Sequence, residues 1–203
     1  MKKGSMNIPN TLSLIRVLLV PIFVATLIFM REIKVWGVIV PTLVYILTAF
    51  TDMLDGKIAR KYSLITDFGK FIDPLADKFM VLSSMIAILV WMLLLGKVLL
   101  ATVFVWVVLL ILLRELGVTS LRLVVAGNSG IVVAASFLGK MKTVSQMAGT
   151  VLILLESLLA DYVPFFAEYP IISYVAMAVM AFTTVFSGID YLRAYMPYVD
   201  SNK

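Results

Sequence analysis

A chain of 203 residues that is 62% hydrophobic and only 14% charged does not have the composition of a water-soluble protein. Soluble domains are about 45–50% apolar and about 25% charged, and a fold of this size could not bury the excess apolar surface. The solvent is therefore a lipid bilayer. The net charge of +5 suits anionic headgroups or anionic substrates, so we expect membrane lipids and no nucleic acid as partners.

The chain contains neither cysteine nor histidine. The lack of cysteine excludes disulfides, thiol nucleophiles and thiolate metal sites. The lack of histidine removes the usual neutral-pH base and the commonest metal ligand. Any chemistry must therefore use carboxylates, hydroxyls, Lys and Arg, together with hard metals that bind oxygen.

Six apolar runs approach or exceed the ~20 residues that cross a hydrocarbon core. Lipid-exposed segments must satisfy their backbone internally, so each run is predicted to be a helix. Several helices should continue beyond their apolar part into water. We expect an all-α, polytopic six-helix bundle in a single domain, residues 6–203, with residues 1–5 resembling a remnant of cloning. The predicted spans are Leu12–Met30, Val35–Phe50, Phe79–Leu95, Val98–Leu113, Val144–Ala160 and Tyr169–Ser187.

The distribution of basic residues predicts the orientation. With the N-terminus in the cytoplasm, 14 of the 17 Lys and Arg residues lie on the cytoplasmic side, and only Arg31, Lys34 and Lys97 face outward. The positive-inside rule then favours both termini in the cytoplasm.

Four aspartates lie at the cytoplasmic boundary of the second and third spans. Asp52 and Asp55 are spaced i,i+3, and Asp73 and Asp77 are spaced i,i+4. Each pair shares one helix face, with Cβ atoms about 5–6 Å apart. A short connection should bring both pairs to the same membrane level. Carboxylates without histidine suit Mg²⁺ or Mn²⁺.

A purely structural interpretation of these aspartates is that they cap helices or pair with Lys57, Arg60 and Lys78. Four carboxylates at this spacing argue against it, because ionised groups at membrane depth are expensive and are expected to be functional or paired.

Small residues accompany the aspartates. Gly56 and Gly69 flank the site and allow a bulky ligand close to the backbone, and Ala59 continues that low surface one turn beyond Gly56. Arg60 offers a planar fork suited to phosphate. These residues could form the floor of a nucleotide site.

The whole segment fits the pattern D-x2-D-G-x2-A-R-x8-G-x3-D-x3-D, and it resembles the signature of the CDP-alcohol phosphotransferases. That resemblance implies two bound metals, a cytidine diphosphate-linked lipid donor and, frequently, a homodimer. It assigns the metals to Asp52, Asp55, Asp73 and Asp77, and the general base to Asp77. It assigns contacts with CDP-diacylglycerol to Gly56, Ala59, Arg60 and Gly69.

The signature leaves the acceptor alcohol open. Three further stretches resemble the phosphatidylglycerophosphate synthases of bacteria within that family: residues 7–16, Arg114-Glu115 with residues 119–122, and residues 138–143. They imply glycerol 3-phosphate as the acceptor, in a bacterial inner-membrane enzyme whose site faces the cytoplasm. Cationic ligands for its phosphate are expected at Arg114, Arg122, Lys140 and Lys142.

The alternative for these four cations is that they only snorkel to headgroups. Lys140 and Lys142 are spaced i,i+2, so a regular helix points them in different directions and one could face the cleft. Arg122 and Lys140 are the first candidates among the four cations. Asn10 and Arg16 are expected to be a helix cap and a snorkelling charge, with membership of the site as the alternative for both.

Two rival functions stay open. The same chemistry could use inositol phosphate, serine or a phosphatidyl lipid as the acceptor. A divalent-cation transporter could also use the aspartates, although transporters tend to place ion sites near the midplane on broken helices.

Overall fold

The computed structural model covers the backbone of residues 8–62, 66–129 and 137–198, and the side chains of those residues other than 8, 9, 55–62, 67, 70, 126, 128 and 129. Every regular element in these ranges is a helix, which confirms the all-α prediction. Residues 1–5, the expected cloning remnant, lie outside them. The α-helices are α1 (Ile8–Phe29), α2 (Trp36–Tyr62), α3 (Asp67–Leu94), α4 (Val98–Ser129), α5 (Phe137–Ala160), α6 (Pro164–Glu168) and α7 (Ile171–Tyr195), followed by a 3₁₀ turn, Met196–Tyr198.

Six of the helices in the described ranges, all except the short α6, are long and apolar enough to cross a membrane. They coincide in number and order with the six predicted spans. Some extend well beyond them, as expected: α4 has 32 residues, which is about 48 Å of helix against a hydrocarbon core of about 30 Å. The protein is therefore a multi-pass membrane protein, while the cytoplasmic placement of its termini stays a prediction.

Helix α1 packs against both α2 and α3, α4 packs against α3 and α7, and α5 packs against α7 and α2. The buried face of α1 changes character along its length. Towards the N-terminus it is polar, and towards the C-terminus it is apolar, although both halves keep helical spacing. Its fully or almost fully buried residues are Asn10, Ser13, Arg16, Val20, Phe23 and Leu27.

The end of the bundle opposite the aspartates is held by polar contacts with α5. Glu156, on α5, is buried and accepts hydrogen bonds of 2.7 Å from the backbone N–H groups of Ile172 and Ser173. A carboxylate at this position satisfies the otherwise unpaired donors of the first turn of α7 and interacts favourably with its dipole. The α3–α4 turn, where Gly96 has φ +72°, carries Lys97, whose Nζ donates to Ser157 Oγ at 3.3 Å.

Burial of Lys97 lowers the pKa of its ammonium below its ordinary value, and the carboxylates of Glu156 and Asp161 only partly oppose that effect. The unfolded chain therefore binds this proton more readily than the folded protein. Stability should rise with pH between the folded pKa and the unfolded pKa of about 10.4.

We expect Lys97→Met to be more stable than the unchanged protein at pH 7, because methionine buries no charge there. The gain should shrink as the pH approaches 10, because Lys97 itself then loses its proton and its charge. Thermal unfolding in one detergent at pH 7, 8.5 and 10 measures the difference. Lys34→Met, at an exposed lysine, is the matched control. A gain for Lys97→Met that is equal at all three pH values would contradict the assignment.

Candidate active site

Three of the four signature aspartates have described side chains, and two residues of α1 contact them. Arg16 Nη1 lies 2.7 Å from Asp52 Oδ1 of α2, and the same nitrogen donates to Asp77 Oδ1 of α3. Ser13 Oγ, one turn earlier on α1, donates to Asp73 Oδ1. The aspartates of the two helices therefore converge on the polar half of α1.

The expectation that Arg16 snorkels to headgroups is wrong. Its side chain is 0% exposed, whereas those of Asp52 and Asp77 are 25% and 48% exposed. A buried guanidinium needs carboxylate partners to offset its lost hydration, and these two aspartates supply them. Arg16 is consequently part of the site, and Asp77 keeps a surface that a substrate can reach.

The start of α3 is fixed against the start of α1. Thr66 caps α3 by accepting a hydrogen bond of 3.0 Å from Gly69 N, and Asn10 Nδ2 donates to Thr66 Oγ1 at 2.9 Å. A Cβ at position 69 would lie 2.7 Å from Asn10 Oδ1. Close packing between α1 and α3 is therefore sufficient reason for a glycine here, and contact of Gly69 with the nucleotide stays a prediction.

The remaining predicted donor-site residues lie in the last turns of α2. Asp55, Gly56, Ala59 and Arg60 belong to the helix, but their side chains lie outside the described set. Their roles towards metal and nucleotide stay predictions.

The described donor set fits a hard divalent cation in its chemistry. Asp52, Asp73 and Asp77 offer carboxylate oxygens, the ligands that Mg²⁺ and Mn²⁺ prefer. Among the described residues, no three acidic groups already lie close enough together to hold a metal. Instead, a guanidinium nitrogen lies between Asp52 and Asp77, so this place in the fold already accommodates positive charge.

A cluster of basic residues adjoins the aspartates and consists of Lys78, Arg114, Arg122 and Lys142. Lys78 follows Asp77 on α3, and its Nζ donates to Thr119 Oγ1 of α4 at 2.5 Å. On α4, Glu115 is buried and accepts from Arg114 Nη1 at 3.0 Å and from Lys142 Nζ of α5 at 2.5 Å. One carboxylate therefore holds two of the predicted phosphate ligands together.

Tyr191 of α7 links Arg122, another of the predicted phosphate ligands, to this cluster. The guanidinium carbons of Arg114 and Arg122 lie 5.1 Å and 5.7 Å from the centre of its ring, within the range of a cation–π interaction. Arg122 Nη2 also donates to the Tyr191 hydroxyl at 3.4 Å. The ring positions both guanidinium groups on one face of α4.

The two lysines of α5 point in different directions, as their spacing predicted. Lys142 is 5% exposed and contacts Glu115, whereas Lys140 is exposed. The structure thus brings Arg114, Arg122 and Lys142 together and leaves Lys140 apart from their contacts.

Comparison with known proteins identifies the group to which this architecture belongs. Residues 6–188 match the model of the CDP-alcohol phosphatidyltransferase family. The chain belongs to that family. The CDP-diacylglycerol–glycerol-3-phosphate 3-phosphatidyltransferase of Bacillus subtilis is 38% identical over 198 residues, covering 91% of this chain and 93% of the relative.

Two further relatives align with nearly the whole length of this chain. A probable phosphatidylglycerophosphate synthase of Mycobacterium tuberculosis is 34% identical over 186 residues, covering 92% of this chain and 80% of its own. A CDP-diacylglycerol–glycerol-3-phosphate 3-phosphatidyltransferase of Pseudomonas fluorescens is 31% identical over 204 residues, covering 97% and 94%.

Ser13, Glu115 and Tyr191 were not predicted as members of the site, and for Arg16 membership was only the alternative to snorkelling. Ser13 and Arg16 carry a signal in retrospect, because with Asn10 they form a polar stripe at i, i+3 and i+6 in an otherwise apolar helix. Glu115 lies in one of the stretches that carry the family resemblance, but that stretch assigned it no role. Tyr191 has no sequence signal, because its role depends on α7 packing against α4.

Breaking the Glu115 contacts should expose their energetic role. Glu115→Gln leaves the buried Lys142 ammonium without its carboxylate, so we expect a loss of about 3–5 kcal/mol in the free energy of unfolding. The double variant Glu115→Gln/Lys142→Met should recover most of that loss, because no lysine charge then stays buried.

Reversible unfolding in mixed detergent would give both values. Glu32→Gln is the matched control, because Glu32 pairs with Arg31 but is 79% exposed, and its loss should stay within about 1 kcal/mol. Equal losses for Glu115→Gln and the double variant would contradict the pairing.

Proposed function

We propose that the protein transfers the phosphatidyl group of CDP-diacylglycerol to glycerol 3-phosphate, giving phosphatidylglycerophosphate and CMP. One observation carries the assignment: the acidic cluster, which is the four signature aspartates, adjoins the basic cluster at consecutive residues of α3, Asp77 and Lys78. The acidic cluster suits a metal-bound pyrophosphate, and the basic cluster suits a phosphate. The names of the relatives support the same donor and acceptor.

The acidic cluster would serve the donor. Asp52, Asp55, Asp73 and Asp77 would hold two Mg²⁺ or Mn²⁺ ions, whose charge offsets that of the pyrophosphate and the departing CMP. Asp77 would accept the proton of the acceptor's terminal hydroxyl. The oxygen of that hydroxyl would then form a bond to the lipid-side phosphorus, while the bond from that phosphorus to the CMP oxygen breaks. Gly56, Ala59, Arg60 and Gly69 would contact the nucleotide.

The basic cluster would serve the acceptor. Glycerol 3-phosphate carries two negative charges, and Arg114, Arg122 and Lys142 would offer charge-assisted hydrogen bonds to them. Glu115 lowers the net charge of the cluster and holds Arg114 and Lys142 together. Lys140 would contribute from the exposed face of α5, as a weaker, solvent-screened charge.

The cellular setting belongs to the same proposal. The bacterial relatives and the excess of basic residues on one side support a bacterial inner membrane, with the site facing the cytoplasm and the acyl chains of the donor in lipid. A homodimer is expected from the family resemblance.

The acceptor assignment is tested with purified protein, CDP-diacylglycerol and Mg²⁺, with CMP release as the measurement. Glycerol 3-phosphate should support the fastest release among glycerol 3-phosphate, inositol phosphate, serine and phosphatidylglycerol. A faster reaction with another acceptor would keep the enzyme class and reject the acceptor. No CMP with any acceptor, together with Mn²⁺ uptake into proteoliposomes, would favour a transporter.

Metal removal tests the acidic cluster. CMP release should vanish in EDTA and return with Mg²⁺ or Mn²⁺, because oxygen ligands of this kind bind such ions reversibly. Asp73→Asn should stay inactive at any metal concentration while keeping its elution volume in detergent. Full activity in EDTA would end the account of a metal-dependent transfer.

Kinetics of two cation variants test the basic cluster. Arg122→Ala should raise the KM for glycerol 3-phosphate about 30-fold, which corresponds to the roughly 2 kcal/mol of a hydrogen bond to a charged group. The KM for CDP-diacylglycerol should change little. Lys140→Ala is the matched control on the exposed face of α5, and its effect should stay below about threefold. A larger effect for Lys140→Ala than for Arg122→Ala would place the phosphate elsewhere.

A further inference from the structure

Arg16 is a fully buried cation whose acidic partners, among the residues with described side chains, include two of the signature aspartates. Its Nη1 lies 2.7 Å from Asp52 Oδ1 and also donates to Asp77 Oδ1. Its side chain is 0% exposed, and the same face of α1 continues as the apolar residues Val20, Phe23 and Leu27. The guanidinium is therefore held in the bundle and has no exposed surface.

The two carboxylates lie close together, because one oxygen of each contacts the same nitrogen atom of Arg16. Two carboxylates this close repel each other strongly unless a cation lies between them. In the structure, Arg16 provides that cation for one aspartate of α2 and one of α3.

We propose that Arg16 is the built-in counter-cation of the aspartate cluster, which holds Asp52 and Asp77 together in the metal-free protein and competes with the divalent cation for them. It acts through the aspartates and is thus a positioning residue. This inference rests on the proposed function, in which the same aspartates bind Mg²⁺ or Mn²⁺.

Competition follows from where the charge is fixed. A divalent cation that binds Asp52 and Asp77 must come close to the guanidinium, and like charges repel strongly where the effective dielectric constant is low. A solvated lysine could swing away into water, but a buried arginine has to share its carboxylates or shift within the bundle. The positive charge of Arg16 therefore weakens metal binding, and removal of that charge must tighten it.

The test measures Mn²⁺ binding to purified protein by electron paramagnetic resonance, without either substrate, and so does not depend on turnover. Arg16→Gln should bind Mn²⁺ at least about fivefold more tightly than the unchanged protein, the lower end of typical site-to-site coupling. Arg16→Lys keeps the charge and should stay within about twofold. Ser13→Ala, one turn away and also buried against an aspartate, removes a neutral contact and should also stay within about twofold.

A second readout covers loss of folding. If Arg16→Gln is unstable without metal, Mn²⁺ should raise its unfolding temperature by more than it raises that of the unchanged protein, because tighter binding stabilises more. A variant that Mn²⁺ does not restore, or that binds Mn²⁺ equally or more weakly, overturns the role of Arg16. Absence of Mn²⁺ binding to the unchanged protein would instead overturn the proposed metal site.

Discussion

A charge in this bundle has to be matched before it can be buried, and the contact of Arg16 with Asp52 and Asp77 meets that requirement. Three helices depend on it, since the guanidinium belongs to α1 and the carboxylates to α2 and α3. The packing of α1 against both of these helices therefore has an ionic end and an apolar end. The ionic end forms the site, and the apolar end supplies the buried Phe23 and Leu27 that fix its position.

The same requirement governs the basic cluster, with the signs reversed. Arg114 and Lys142 come from different helices and would repel each other, and the buried carboxylate of Glu115 accepts from both. Tyr191 adds an aromatic face to Arg114 and Arg122. The cluster thus keeps a net positive charge that suits an anionic ligand. The carboxylate and the aromatic ring offset part of the repulsion among its cations.

Much of this was predictable, and the physical reason is the bilayer. Long apolar runs can only be helices in lipid, so the six spans follow from hydropathy, and helical spacing aligns Asp73 with Asp77. Hydropathy cannot say which side of a helix meets a neighbour. For that reason Arg16 was expected to snorkel, and Lys140 was preferred to Lys142 as a phosphate ligand before their burial was known.

Helix α3 explains how the proposed donor and acceptor sites can adjoin in so small a protein. Successive residues of an α-helix differ by about 100° in direction, since a turn takes 3.6 residues. Asp77 therefore faces α1, where it contacts Arg16, and Lys78 faces α4, where it contacts Thr119. Because α3 packs between these two helices, one turn of it carries both the acidic and the basic side of the site. In the proposed in-line transfer, the donor and the acceptor would approach this turn of α3 from those two faces.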